Sequence, residues 1–430
     1  MKTFFQLLAT ALVVVATTNF VWFAVVFWAF LSTKSVLSTS TMGGIFLIAM
    51  AVSGIWFGSI VDHHKKKHAM LGSSVATLLA FSIGFAVLHF VPAEAFTSVS
   101  SPWLWILVAI LVCGTVAGTV YNIAVPTLIG LTVPEERRDR ANGMFGTVIG
   151  IAFGITSVAS GVALAYLGMK WVVAIAIGFT LVAIVMLALI PIDEREIVHL
   201  TEAGPKEVDL KGTVRAVRAI PGLFPLIFFT TFNNFLGGVF MALMDAYGLT
   251  LVSVQVWGFL WGFLSCGFIL GGLTIAKRGL GSNPLRTLFR VNFVVWTVCI
   301  LFTIQPSIVL LAVGTFIWMF LFPFVEAVEQ TIFQKVVPPE RLGRVIGFAH
   351  SVEQSASPMT SFLIGPIAQF VFIPFMTTGR GVELIGSWYG TGMGRGIALV
   401  FSAAGIVGLI VSAIARQSRA YRLLSSRYET

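Results

Sequence analysis

The chain has 430 residues, of which 57% are hydrophobic and 10% charged, and its mean hydropathy is +0.95. A soluble domain carries about 25% charged residues, so an ordinary cytosolic globule is excluded. The net charge of +9 gathers at the ends of apolar runs, which points to membrane topology and away from nucleic acid.

A bilayer-crossing helix needs about 20 mainly apolar residues. Twelve runs reach that length: 8–31, 41–61, 69–92, 103–131, 141–167, 171–191, 221–250, 254–276, 285–305, 308–334, 345–375 and 394–415, spans 1 to 12 in chain order. The first follows Lys2 but is too long for a signal-peptide core. It flows into Trp22, Phe23 and Trp28 without a small-residue cleavage site, so it reads as a retained span. Pro126, Pro323, Pro358 and Pro366 are the expected kink points. Cys113, Cys266 and Cys299 lie inside apolar runs and read as buried small hydrophobes, not as a disulfide set.

With twelve spans, both termini share a side. That side carries 23 of the 27 Lys and Arg residues, from Lys2 through Arg195 and Lys206 to Arg427, and leaves only Lys34, Lys170, Arg380 and Arg395 opposite. The positive-inside rule then puts both termini in the cytoplasm of a multi-pass protein, expected in a cytoplasmic (inner) membrane.

The polar stretch Asp193 to Ala219 divides the spans six and six, giving an N-terminal bundle 1–192, a cytoplasmic linker 193–220 and a C-terminal bundle 221–430. The halves repeat. Val133, Pro134, Glu136, Arg137, Arg140 and Gly143 recur as Val337, Pro338, Glu340, Arg341, Arg344 and Gly347 at a fixed offset of 204. Asn19 recurs as Asn233, and Gly58 as Gly272, at an offset of 214. Parallel six-span repeats mark a secondary transporter that works by alternating access. The fold class is therefore an all-α membrane protein of two six-helix bundles.

The loop after span 2 reads Gly58, Ser59, Ile60, Val61, Asp62, His63, His64, Lys65, Lys66, Lys67. Glycine admits close helix approach, an aspartate can cap a helix N-terminus, and the basic run suits an anionic leaflet. Gly58, Asp62, Lys66 and Lys67 match the G-x-x-x-D-R-x-G-R-K loop, so the chain resembles the major facilitator superfamily along essentially its whole length. The second-half copy, Gly272 to Gly279, carries Ala276 in place of the aspartate. Pro358, the run Gly365-Pro366-Ile367-Ala368 and the turn Gly390-Thr391-Gly392-Met393-Gly394 are similar to the drug:proton antiporter branch that includes macrolide-type efflux pumps and siderophore exporters. Span 5 holds a glycine ladder at Gly143, Gly146, Gly150, Gly154 and Gly161 but lacks that branch's Gly-Pro pair. The resemblance implies a major facilitator fold, a gate at Gly58, Asp62, Lys66 and Lys67, and a cavity lined by spans 1, 4, 7 and 10.

An ionisable group at mid-bilayer costs about 2.5–3.5 kcal/mol on insertion scales, so each needs a reason. Glu326 and Glu329 share a face of span 10; Glu353 lies in span 11 with His350 one turn before it. Such a cluster suits proton loading and release, and these three glutamates are the expected proton-coupling residues. For Glu329, pairing with Lys335 or Arg344 is the structural alternative. Asp245, near the outer end of span 7, is expected at an outer gate. Asn19, Asn122, Asn233 and Asn234, with Trp22, Phe232 and Trp318, are the expected substrate-binding residues; for the amides, interhelical bonding is the alternative.

No G-x-x-x-x-G-K-[ST], H-E-x-x-H or G-x-S-x-G run occurs, so ATP hydrolysis and hydrolase chemistry are not expected. His63, His64 and His68 lack accompanying ligands, so neither a metal site nor a cofactor is expected. The expected function is proton-coupled efflux of lipophilic or cationic compounds. The partners are a small-molecule substrate, protons and membrane lipids, in a monomer that binds no nucleic acid. The alternatives are a dedicated exporter of one metabolite such as a siderophore, and a metal ion carrier.

Overall fold

The computed structural model describes residues 2–33, 36–98, 100–191 and 210–426. Lys34, Arg195, Lys206, Arg427 and residues 193–209 of the expected linker lie outside the described residues. Among the described residues every regular element is a helix.

Among the described residues, twelve helices are long and apolar enough to cross a membrane. They are Thr3–Ala29, Ile45–His63, Lys66–Phe90, Pro102–Thr132, Glu135–Leu167 and Met169–Leu189, then Leu223–Leu249, Phe259–Arg278, Pro284–Leu301, Ile308–Val336, Pro339–Thr377 and Met393–Gln417. These are the twelve runs read from the sequence. Their flanks expose large apolar side chains such as Trp56, Ile155, Phe259 and Phe370, a surface that water would penalise and acyl chains match.

Packing groups the chain into two compact units. One is Met1–Thr213 with Phe333–Ser351; the other is Val214–Ile332 with Val352–Thr430. In the first unit, span 1 packs on spans 4, 5 and 6, and span 3 on spans 4 and 6. Its core holds Val21, Ala24, Phe81, Leu104, Leu111 and Val173. Spans 3 and 4 are tied by polar bonds that a lipid environment leaves without competition: Ser73 Oγ donates to Ala117 O (2.8 Å), Thr77 Oγ1 donates to Gly114 O (2.9 Å), and Ser74 Oγ and Tyr121 Oη lie 3.1 Å apart.

Span 4 breaks at Thr119 rather than at Pro126, which lies inside a continuous helix. At the break the backbone switches to i−3 bonds, from Thr119 N to Val116 O and from Asn122 N to Thr119 O. Span 8 breaks at Ser265, where no proline signals it. Pro323, Pro358 and Pro366 also lie inside helices, and a π-turn, Ala368–Phe372, follows Pro366.

The second unit centres on spans 7, 9 and 12, with Phe240, Trp296, Phe302 and Phe401 at its core. Gly408 leaves the space that the Trp296 indole fills. Arg395, at the start of span 12, is buried. Its Nε donates to Tyr389 O (2.5 Å), its guanidinium nitrogens donate to Ile304 O (2.8 Å) and Tyr247 Oη (3.3 Å), and its charge lies 4.1 Å from the Tyr389 ring centre. The turn that presents Tyr389 O uses Gly390 (φ +90°) and Gly392 (φ +102°). Cys299 is buried as expected, but Cys113 and Cys266 are exposed: they occupy outward flanks of their spans, where apolar neighbours in sequence do not bring burial.

In the first unit, four glycines allow the closest backbone approach. A Cβ on Gly58 would lie 2.6 Å from Gly343 O and 3.0 Å from Gly347 Cα, and one on Gly347 would run into Gly54 O. Gly72, in span 3, has open space around it. Gly347→Ala is expected to destabilise the purified protein by about 1–3 kcal/mol through overpacking. Gly72→Ala is expected to stabilise it by about 0.5–1 kcal/mol by restricting the unfolded chain. Thermal denaturation of the two variants in one detergent checks the opposite signs.

Candidate transport site

Within the first unit, the end of span 2 meets the start of span 11. Asp62 is 7% exposed, and its Oδ1 and Oδ2 accept from the backbone N–H groups of Gly343 and Arg344, each at 2.7 Å. A helix N-terminus presents unpaired N–H groups and the positive end of its dipole, so a carboxylate is the matching partner. The Arg344 guanidinium lies 3.6 Å from the same carboxylate and contacts His63 Nε2 at 2.9 Å. Lys66 is buried close enough to interact with Asp62 electrostatically. Lys67 does more than sit at a lipid surface. Its Nζ donates to Ala188 O (2.9 Å) and Ile190 O (2.7 Å), the carbonyls left open at the end of span 6.

The repeated Val-Pro loops interlock in the same unit. Lys335 pairs with Glu135 at 2.9 Å, and Arg138 donates to Gln334 O at 2.8 Å. Beneath them, Gln334 Nε2 donates to Pro126 O (2.8 Å) and Asn142 Nδ2 donates to Gln334 Oε1 (2.9 Å). This amide pair was not anticipated from the sequence. Asn142 lies in the repeated motif, but nothing local marks Gln334 as its partner.

In the second unit, spans 7, 10 and 11 bring Thr230, Glu329 and Glu353 together. Thr230 Oγ1 lies 3.0 Å from Glu329 Oε1 and 2.8 Å from Glu353 Oε1, and the two carboxyl groups also bond each other. Glu329 is 3% exposed and Glu353 8%. The cations weighed as alternatives for Glu329 are engaged elsewhere, Lys335 with Glu135 and Arg344 with Asp62. Glu326 is near enough to interact electrostatically with both glutamates, yet its side chain is exposed. His350 does not join them. It belongs to the first unit, and its buried Nε2 has no hydrogen-bond partner. Thr230 is the member that sequence reasoning missed, because a lone hydroxyl in an apolar run gives no signal of its own.

A family comparison decides what this arrangement belongs to. The model of the Major Facilitator Superfamily matches residues 7–361. The chain belongs to the major facilitator superfamily. It is a multi-pass membrane transporter, not an enzyme. It is 21% identical to macrolide efflux protein A of Streptococcus pyogenes over 367 residues, which cover 83% of this chain and 87% of that one. Against macrolide efflux protein A of Enterococcus faecalis it is 22% identical over 335 residues, covering 75% and 98%. Among solved structures, a bacterial homologue of the iron transporter ferroportin in an outward-facing state with soaked iron aligns with a TM-score of 0.67 at 13% identity, covering 96% of this chain and 99% of that one. The human organic anion transporter MFSD10 aligns with a TM-score of 0.64 at 10% identity, covering 95% and 99%.

The other expected site residues of this superfamily member fall into two groups. In the first unit, Asn19 and Asn122 are half-buried, and Trp22 stacks on Phe46 with ring centres 4.0 Å apart. In the second, Phe232 stacks on Phe235 (6.2 Å), and Trp318 joins Phe268 and Phe322 in an edge-to-face cluster. Asn234 is half-buried, and its backbone carbonyl accepts from Ser357 Oγ. Asn233 takes the interhelical alternative: its Nδ2 donates to Phe229 O (2.8 Å) and its Oδ1 accepts from Trp296 Nε1 (2.9 Å). Asp245 Oδ1 accepts from the indole N–H groups of Trp257 (2.9 Å) and Trp261 (3.2 Å).

Asp62→Asn keeps one acceptor for Gly343 N but turns an amide N–H₂ toward Arg344 N. Loss of that charged cap is expected to cost about 1–2 kcal/mol at this contact. Membrane insertion and yield should stay at wild type while turnover falls. Initial transport rates at matched expression check this, and a wild-type rate would remove the contact from the transport cycle.

Proposed function

We propose that this chain is a secondary exporter in which Glu329 and Glu353, bridged by Thr230, hold the proton whose movement drives efflux. The observation that carries this reading is proton arithmetic. Thr230 has one hydroxyl proton, yet its oxygen touches both carboxyl groups and lies 3.0 Å from Ile227 O. Two ionised carboxylates in mutual contact, buried and without a paired cation, would repel strongly. One proton held between the two carboxyl groups supplies the donor that their mutual bond needs and removes one of the two charges, while the Thr230 hydroxyl donates to one carboxyl at a time; departure of that proton leaves a charge that the site must expel or neutralise.

Glu326 supplies the complementary part. It is an exposed carboxylate beside the pair, suited to neutralisation by an organic cation. Protonation of the pair lowers the negative charge near Glu326 and disfavours the cation; loss of the proton favours it. Competition of this kind is what exchange requires. Aromatic rings on span 10 and its neighbours offer apolar contact and cation–π attraction. Efflux as the direction is supported by the names of the macrolide efflux relatives, and lipophilic cations as the substrate class by the exposed Glu326 carboxylate and the neighbouring rings. The reading places the chain in a cytoplasmic membrane with both termini inside, working as a monomer.

One-for-one exchange of a proton for a monovalent cation moves no net charge, so the pH difference drives it; one pH unit is worth about 1.4 kcal/mol, enough to sustain roughly tenfold accumulation. In everted vesicles, wild-type protein is expected to concentrate a cationic dye, and dissipation of the proton gradient to abolish this. Glu329→Gln and Glu353→Gln should lose uphill transport while retaining downhill dye exchange. Uphill transport at wild-type level in both variants would remove the pair from coupling. Glu326→Gln is expected to raise the half-saturating dye concentration about tenfold, the effect of losing one favourable charge contact. Thr230→Val is expected to shift the pH dependence of transport, with Thr230→Ser restoring it. Dye that moves only down its gradient in wild-type vesicles, with a single metabolite moving uphill, would favour the dedicated exporter.

A further inference from the structure

The basic end of the second unit holds a cavity that the transport reading does not use. Its volume is about 620 Å³, and Arg286, Arg290, Arg416 and Tyr421 line it. A water molecule takes about 30 Å³, so the space suits a polyatomic group. The arginines come from two helices: Arg286 and Arg290 stand one turn apart at the start of span 9, and Arg416 stands at the end of span 12. The C-terminal helix, Arg419–Ser425, contributes Tyr421 to the lining. It is fixed by the Tyr421 ring set edge-on against Phe289 (5.1 Å) and by Asn283 Nδ2 donating to Ser425 Oγ (2.8 Å).

Two features say what would enter. First, no carboxylate lines the cavity, and neither 277–301 nor 416–426 contains an Asp or Glu. Convergent guanidinium groups repel one another, so an anion is the matching occupant, and their planar forks match phosphate oxygens. Second, the cavity is not polar throughout. Phe293 and Ala413 also line it, and the Arg416 charge lies 5.9 Å from the Phe293 ring centre. Beyond them the same helix faces continue as exposed apolar stripes, Val294 and Leu301 on span 9 and Ile410 and Ile406 on span 12. A cationic pocket that opens onto a lipid-facing apolar surface has the polarity of an amphiphile turned head-down.

We infer that this cavity binds the headgroup phosphate of an anionic phospholipid, with the acyl chains lying along spans 9 and 12. At the cation-rich end of the spans, the proposed cytoplasmic side, the leaflet is the anionic one. The bound lipid would fasten the C-terminal helix to spans 9 and 12. The site is independent of the glutamate pair, so its failure leaves the proton assignment untouched.

The test uses the full-length protein purified in a neutral detergent, with retained lipid counted by native mass spectrometry and stability followed by thermal denaturation. The probes are phosphatidylglycerol, phosphatidylcholine and inorganic phosphate. Wild-type protein is expected to retain and be stabilised by phosphatidylglycerol only. Arg290→Gln with Arg416→Gln removes two surface-proximal charges and should weaken phosphatidylglycerol binding about thirty-fold. The Lys277→Gln, Arg278→Gln double variant loses the same charge outside the cavity and should bind like wild type. Arg290→Lys with Arg416→Lys should keep most of the affinity, which separates lost charge from misfolding. Equal stabilisation by phosphatidylcholine, undiminished binding in the double glutamine variant, or equal loss in the control pair would overturn the site. Equal stabilisation by inorganic phosphate would show a free-anion site and overturn the lipid assignment.

Discussion

The carboxylate of Asp62, seated on the open end of the helix that starts at Leu342, is the contact that most of the first unit's arrangement serves. It works only because the backbones come close, and they come close because Gly54, Gly58, Gly343 and Gly347 place no side chain between them. The buried charge is matched by two backbone donors and the Arg344 guanidinium, which itself leans on His63. Remove the carboxylate and a helix terminus is left with unsatisfied donors in a place water enters poorly, a costly state.

Two helices bear both polar end contacts and glutamates. Leu342–Ile367 is capped at its first turn and bears Glu353 eleven residues on, about 16 Å along the axis. Ile308–Val336 ends on the Gln334 amide pair and the Lys335 ion pair, and bears Glu329 about one turn earlier. Thr230 is well chosen as the third member: its hydroxyl can turn toward either carboxyl group without moving the backbone.

The twelve spans and the six-plus-six repeat were legible because hydropathy and period are one-dimensional signals that survive in any apolar helix. Gly58 and Asp62 were legible for a different reason: their spacing has a physical purpose that can be stated without knowing the partner. The partner itself was not. Nothing in the order of residues 342 to 344 announces that an aspartate some 280 positions earlier will cap them. The breaks at Thr119 and Ser265 escaped because hydroxyl and small residues redirect the backbone without the fixed geometry that makes proline readable. For Asn233 the sequence left substrate contact and interhelical bonding both open; the Trp296 indole, sixty-three residues away, donates to its oxygen. The glutamates were recognised by their cost, and their sorting into a buried pair and an exposed neighbour needed the third dimension.

Arg395 shows how a residue can mean one thing during biogenesis and another afterwards. While the chain is being inserted, this cation counts against export of its segment, because nothing yet shields it. Once folded, two carbonyls, a phenol hydroxyl and the face of Tyr389 enclose it, and the charge no longer belongs to the surface. The cost of carrying it across is thus recovered only when the Tyr389–Gly392 turn closes on span 12. Insertion and folding are separable stages at this one position, and a defect in the turn would strand a correctly threaded but unfinished bundle.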